Sequence, residues 1–122
     1  MSVVVPVYRN AATLRELHAR LGEVLPELDR RELIFVNDGC DDGSGAVLRD
    51  LAEADRTVVV VELEANRGQH SAVLAGLERS RGEWTIVLDA DLQDPPEAIP
   101  ALIAAAAPPA AETPDRLDNL LV

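Results

Sequence analysis

Hydrophobic residues are spaced along this chain in two alternating rhythms. Short continuous apolar runs have the length and β-branched content of strands covered on both faces: Val3-Val4-Val5-Pro6-Val7, Leu33-Ile34-Phe35-Val36, residues 58–63 and residues 84–88. Between them, apolar positions recur every three or four residues, as on one face of a helix: Leu14, Leu17, Leu21 and Leu25, then Val47, Leu48 and Leu51, then Val73, Leu74 and Leu77. Pro6 falls near the carboxyl end of its run, where a ladder hydrogen bond can be spared. Thr13-Leu14-Arg15-Glu16 reads as a capping box opening the first helix, and Pro26 helps to end it. Ser44 is placed to cap the second helix, and the third spans about residues 69–79 before Gly82 breaks it.

Strand and helix therefore alternate four times, which predicts an α/β fold: a Rossmann-like, doubly wound parallel sheet with helices on both faces. In such sheets the ligand crevice lies beyond the carboxyl ends of the strands. The residues richest in chemistry all fall at that edge, in segments 8–10, 37–42, 66–68 and 89–93. The opposite edge carries Arg30-Arg31-Glu32, Arg56-Thr57 and Arg81-Gly82-Glu83, a generic polar surface. A merely solvated acidic surface has no reason to follow one edge, so this one-sidedness favours a functional reading.

The strongest chemistry lies in Asp89-Ala90-Asp91-Leu92-Gln93-Asp94-Pro95-Pro96-Glu97. If the backbone stays extended past its strand, Asp89, Asp91 and Gln93 face one side. They would then offer hard oxygen ligands suited to Mg²⁺ or Mn²⁺, with phosphate oxygens and water completing the shell. An isolated Asp-x-Asp is also a common solvated loop, so the motif alone does not decide. The segment Asn37-Asp38-Gly39-Cys40-Asp41-Asp42-Gly43-Ser44 forms a second acceptor-rich turn.

Composition removes several classes. A length of 122 residues sets one domain. With 22 acidic against 11 basic residues the net charge is −11, and no basic run exists, which excludes nucleic acid as a partner. Carboxylates near a diphosphate repel it unless a cation lies between them, so the same balance favours a metal-bridged anion. Cys40, the single cysteine, excludes an intrachain disulfide and reads as a small loop residue. No apolar segment approaches the ~20 residues that cross a bilayer, and residues 1–5 lack a basic leader, so the chain is expected in the cytoplasm. His18 reads as a partly exposed helix residue. No Ser/His/Asp or Cys/His arrangement, zinc cluster or glycine-rich phosphate loop is evident, which removes nucleophilic catalysis and dinucleotide binding. What remains is a nucleotide diphosphate held by a divalent cation, its base and ribose read by acceptors such as Asp38.

At this point the motifs carry a resemblance. Val4-Val5-Pro6-Val7-Tyr8-Arg9-Asn10, Leu33-Ile34-Phe35-Val36-Asn37-Asp38-Gly39, Asn66-Arg67-Gly68-Gln69-His70-Ser71-Ala72 with Ala75-Gly76, and the run from Asp89 to Glu97 resemble the successive motifs of family 2 glycosyltransferases. The Gln69-His70 pair and the acidic run are similar to the polyprenyl-phosphate branch in particular. The resemblance covers about residues 2 to 100. It implies the nucleotide-binding half of a glycosyltransferase A fold and transfer of a sugar from a UDP- or GDP-sugar to a lipid phosphate at the cytoplasmic membrane face. By position it implies that Pro6, Tyr8 and Asn10 line the nucleotide pocket, that Val36 and Asp38 hold base and ribose, and that Asp89, Ala90 and Asp91 contact the sugar nucleotide. Asp91 and Gln93 would ligate the metal with help from Asp89, and Arg67 would approach the phosphates, a role that competes with that of a solvated loop cation. The acceptor phosphate is itself the nucleophile, so a strong general base is less needed than in transfer to a sugar hydroxyl, and no catalytic residue is assigned.

Relatives of this kind continue past Glu97 with further strands, phosphate-binding arginines and membrane-associating helices. Here residues 1–103 are expected to form the nucleotide-sugar-binding domain, truncated, and residues 104–122 an Ala/Pro-rich flexible tail with 117–122 unattached. The fourth strand would then be an uncovered sheet edge, which favours self-association. Two alternatives stay open. One is a non-catalytic nucleotide-sugar or metal-binding module. The other, a phosphoacceptor signalling domain, needs a lysine on a later strand, and the chain contains none.

Overall fold

A computed structural model describes residues 1–25, 31–106 and 120–121. The elements follow in the order β1 (Ser2–Val7), α1 (Leu14–Val24), β2 (Glu32–Asn37), α2 (Ser44–Ala54), β3 (Val58–Glu62), α3 (Gln69–Arg79) and β4 (Thr85–Val87), then a 3₁₀ turn (Pro96–Ala98), α4 (Ile99–Ala106) and β5 (Leu120–Leu121). All described strand pairs are parallel, and the sheet order is β3-β2-β1-β4-β5. The predicted α/β sheet is therefore present. Pro26, expected to end α1, lies outside the described residues.

Alternation along the strands divides the core in two. Val3, Val5, Val7, Leu33 and Phe35 pack under α1 and α2, against Leu14, Leu17, Leu21, Leu48 and Leu51. Val4, Ile34 and Val36 face the other way, against Ala72. Consecutive side chains on a strand point to opposite faces, so the continuous apolar runs serve both layers at once. Gly76 brings α3 tightly onto its layer: a Cβ there would run into Val4 and lie 3.2 Å from Val36 Cγ2.

The sheet order creates the crevice. The chain builds outward from β1 through β2 to β3, then returns to place β4 on the other side of β1, so the topological switch lies between β1 and β4. Ser2 donates its amide to the Trp84 carbonyl at 2.7 Å, and Val4 accepts the Leu88 amide at 3.0 Å. The next position facing β4 is Pro6, which has no N–H to give, and the registered β1–β4 pairing ends at Val4 with Val87. Beyond that point the two chains separate and leave a gap.

Several expectations are corrected. Neither predicted cap forms as expected. The Thr13 side chain makes no cap bond to α1, because its hydroxyl is engaged elsewhere. Gly43, in the left-handed region, occupies the N-cap of α2, while Ser44 gives both its amide and its hydroxyl to Asp42 Oδ1, at 3.1 and 2.6 Å. The hydroxyl bond is the first reason that the Asp42 carboxyl is held below its ordinary pKa. Helix α4 runs through Ala106, and residues 107–119 of the expected Ala/Pro-rich tail lie outside the described residues. The expectation that 117–122 is unattached fails at Leu120–Leu121, which pair in parallel with Thr85 and Ile86. Backbone donors and acceptors left by β4 recruit a partner, so β4 is internal, and among the described residues β3 forms an edge.

The edge opposite the crevice is not generic surface either. Arg31 is nearly buried and lies 3.6 Å from Asp55, which also sits 2.8 Å from His18 Nε2. Burial raises the pKa of Asp55, but bonds from Thr57 and His18 outweigh it and hold the carboxyl below its usual range. Ser2 donates its hydroxyl to Glu32 at 2.6 Å, which also accepts the Arg81 amide. These residues tie helix and strand ends together.

Candidate functional site

The gap beyond β1 and β4 opens into a cavity of about 420 Å³, lined from β1 and its extension by Pro6, Val7, Tyr8 and Asn10. Asp38 follows from the end of β2, then Asn66, Gly68, Gln69 and Ala72 from the start of α3, and Asp89, Ala90 and Asp91 from the end of β4. Seven of the eight residues expected at the sugar nucleotide are in this lining: Pro6, Tyr8, Asn10, Asp38, Asp89, Ala90 and Asp91. The eighth, Val36, is not. It is fully buried beneath α3 with Val4 and Ile34, because strand alternation turns it into the core.

Each wall has its own internal supports. Asn10 Oδ1 accepts the Tyr8 amide at 2.9 Å, and the Arg9 between them takes a left-handed backbone with φ 58°. Arg9 then stacks 5.5 Å from the Tyr8 ring centre and pairs with Asp41 at 3.7 Å. Tyr8 is 46% exposed and lines the cavity, and an aromatic ring of this kind can pack against a planar base. Cys40 fills the seam below: its thiol donates to the Val7 carbonyl at 3.4 Å, and its sulfur accepts the Arg9 amide at 3.2 Å.

Asp38 is only 3% exposed and is the keystone of the second wall. Its two oxygens accept the backbone amides of Arg67 at 2.8 Å and Gly68 at 3.1 Å, which fixes the loop entering α3. Arg67 is bound through its backbone; its side chain is exposed and not part of the cavity lining. The role expected for it at the phosphates is thus not built into this arrangement.

The acidic loop departs from the extended course that would turn Asp89, Asp91 and Gln93 to one side. Strand β4 ends at Val87, and Leu92 has φ 64°. Asp91 Oδ1 accepts the amide of Gln93 at 3.1 Å, a local turn that competes with extension. Alternation therefore stops before Gln93, which is exposed and outside the cavity lining, while Asp89 and Asp91 remain in it. Of the three expected donors, two line the cavity.

Burial, followed by repulsion from Asp91 and Asp94, pushes the pKa of Asp89 above its ordinary value, and a 2.9 Å hydrogen bond from Gln69 Nε2 opposes this. Crowded, partly desolvated carboxylates of this kind are relieved by a cation. Among the described residues no set of three or more His, Cys, Asp or Glu side chains converges on one metal position. Asp89 and Asp91 are thus the described side chains that could hold a hard divalent ion here, with other groups completing its shell.

The raised pKa has a testable consequence. The unfolded chain ionises at the ordinary value and the folded chain only above it, so the destabilisation grows as pH rises from the ordinary value and is complete once pH exceeds the raised one. Asp89→Asn, without metal, is expected to raise Tm at pH 7, and the gain is expected to shrink below the ordinary carboxylate pKa. Thermal melts of both proteins at pH 7 and pH 3 check this; equal gaps at the two values would remove the charge from the explanation.

Sequence reasoning assigned no role to Gln69, although it lies at the first residue of a helix that starts at the loaded edge. It also read Thr13 as a cap. Its hydroxyl lies 2.6 Å from the Ala90 carbonyl, a contact 77 residues apart in sequence that no local pattern signals.

A doubly wound parallel sheet with an acid-lined crevice at its switch point is the architecture of the glycosyltransferase A fold, which the solved structures below share. The family profile described as Glycosyl transferase family 2 matches residues 2–113, and the chain belongs to that family. It is 50% identical over 109 residues to an undecaprenyl-phosphate 4-deoxy-4-formamido-L-arabinose transferase of Pseudomonas aeruginosa strain UCBPP-PA14, a match covering 88% of this chain and 32% of that protein. The transferase of the same description from Aeromonas hydrophila subsp. hydrophila is 44% identical over 108 residues, covering 87% of this chain and 33% of that one. The chain thus spans about a third of the length of these relatives. Among solved structures, the mannosyltransferase PcManGT from Pyrobaculum calidifontis, in complex with GDP-Man and Mn²⁺, superposes with a TM-score of 0.77 at 27% identity, covering 88% of this chain and 32% of that one. S. aureus TarS (residues 1–349) in complex with UDP-GlcNAc shares the fold, with a TM-score of 0.66 at 22% identity, covering 86% of this chain and 31% of that one.

Proposed function

We propose that this chain is the donor-binding part of a metal-dependent glycosyltransferase that moves a sugar from a UDP- or GDP-sugar to a polyprenyl phosphate at the cytoplasmic face of the membrane. The observation that carries the reading is one cavity at the β1–β4 switch that joins Tyr8, Asn10 and Asp38 to Asp89 and Asp91. The relatives agree with it: those most similar in sequence are named for undecaprenyl phosphate, and PcManGT is seen in complex with GDP-Man and Mn²⁺.

Within this reading the nucleotide lies over Pro6 and Val7, its base against Tyr8 and its ribose near Asp38. Asp89 and Asp91 would hold Mg²⁺ or Mn²⁺, with Gln93 the third expected donor should the loop extend on binding. When bound, the ion neutralises charge on the departing nucleoside diphosphate. Gln69 keeps the Asp89 carboxylate aimed at the cavity. The acceptor phosphate oxygen attacks the anomeric carbon as its bond to the diphosphate breaks. That oxygen is already ionised, so no side chain need remove a proton from it.

Titration calorimetry of the chain with GDP-mannose and UDP-glucose, with and without Mn²⁺, tests donor binding, and radiolabelled transfer to undecaprenyl phosphate tests turnover. Mn²⁺-dependent affinity for one donor is expected; no affinity for either would overturn the site. Among the described residues no arginine lines the cavity, which favours a second reading: by itself the chain binds donor without transferring it. Binding without turnover would select that reading.

A further inference from the structure

The walls of the cavity are held together at a point where the sheet itself fails to hold them. Backbone pairing between β1 and β4 stops at Val4, and Pro6 cannot extend it. One step beyond, the Thr13 hydroxyl lies 3.2 Å from the Asn10 carbonyl and 2.6 Å from the Ala90 carbonyl. A hydroxyl has one proton, and the shorter contact marks Ala90 as its acceptor. Thr13 is also fixed to the first wall, since its amide donates to Asn10 at 3.0 Å. One residue therefore grips both walls: Asn10 on one side and, on the other, the peptide between Asp89 and Asp91.

We infer that Thr13 is a positioning residue that sets where Asp89 and Asp91 stand relative to the Tyr8–Asn10 wall. The inference rests on the reading of this cavity as a metal and sugar-nucleotide site. Ala90 is itself 2% exposed, so its peptide is held by packing on one side and by this hydroxyl on the other. Farther along the loop, Arg20 on α1 makes a two-pronged contact with Glu97, its Nε lying 3.0 Å from one carboxylate oxygen. Helix α1 thus holds the acidic segment before and after its turn, and the hold nearest the aspartates is Thr13. Because the Thr13 side chain makes no cap bond to its own helix, removing its hydroxyl leaves the helix cap unchanged.

The test compares the chain with Thr13→Val, which keeps the branched shape and loses the hydroxyl, and with Thr13→Ser, which keeps the hydroxyl. Two quantities are read: amide hydrogen exchange over residues 89–93, and Mn²⁺-dependent GDP and UDP affinity by calorimetry, with loss of the free Mn²⁺ resonance signal as a second measure. In Thr13→Val, loop exchange is expected to accelerate and nucleotide affinity to fall, each about tenfold, with Thr13→Ser near the parent in both. Amides of β1 and β2 should keep their protection, which separates positioning from general destabilisation. Unchanged loop exchange in Thr13→Val overturns the inference whatever the binding does. Faster loop exchange with undiminished affinity overturns it as well. If the parent chain binds neither nucleotide but Thr13→Val still frees the loop, the placement role stands and the ligand reading falls.

Discussion

Replacing Asp91 with alanine is expected to weaken Mn²⁺-dependent sugar-nucleotide binding by roughly 10- to 100-fold, since losing a charged acceptor costs about 1.5–3 kcal/mol and each 1.4 kcal/mol is tenfold. Asp91 lines the cavity and is exposed, so its removal leaves no hole in the core. Tm should therefore stay within a few degrees of the parent, as for other surface changes. Asp91→Asn refines the test, because it retains an oxygen to accept the Gln93 amide while removing the charge. Equal losses in the two variants would assign the effect to charge on the ion. A loss confined to alanine would assign it to the turn. Calorimetry with and without Mn²⁺ separates them, and unchanged affinity in both would strike Asp91 from the ligand set.

The second large effect is expected at a position with no side chain. Gly39 has φ 69°, and a Cβ there would stand 2.7 Å from the Ala65 carbonyl carbon and closer still to the Asn66 amide nitrogen. Both obstacles are backbone, so neither can swing aside as a side-chain tip would. Gly39→Ala should cost roughly 2–5 kcal/mol, from left-handed strain of about 1–2 kcal/mol plus overpacking of about 1–3 kcal/mol. The damage is directed, because the loop that must move contains the Arg67 and Gly68 amides held by Asp38. Nucleotide affinity should fall with stability even where the variant is still folded. Denaturant melts and calorimetry on the same preparation check both, and a variant as stable as the parent would show that the 65–68 loop yields freely. Stability of small domains is only about 5–15 kcal/mol, so this one methyl removes a sizeable share.

The two expectations differ in how much of their basis can be read from the chain. The Asp89–Asp91 pair stands out as acidic residues after an apolar run, and its membership of the cavity needs only the rule that crevices open at carboxyl ends of parallel strands. The constraint on Gly39 depends on the approach of a loop 26 residues away in sequence, visible only once Ala65 and Asn66 are in place. Gln93 shows the limit from the other side. Its predicted orientation assumed an extended backbone, and a local turn built by Asp91 and Leu92 ends that extension. Val36 fails for a related reason: its neighbour Asp38 lies past the strand end and reaches the cavity, whereas Val36 is still within the pleat and faces the core.

By itself, the order of residues determined the α/β class, the four strands 2–87, the three helices between them and the edge on which the chemistry collects. Those features follow from short continuous apolar runs and from a period of about three and a half residues, which act over a few neighbours and leave a direct trace in the sequence. Only the tertiary structure decided that β4 lies beside β1, that Leu120–Leu121 pair with β4, and that Thr13 grips Ala90 across the gap. Such pairings join segments tens of residues apart, and their energy depends on packing and on which backbone groups remain unpaired. Neither quantity exists until the helices have closed over both faces of the sheet.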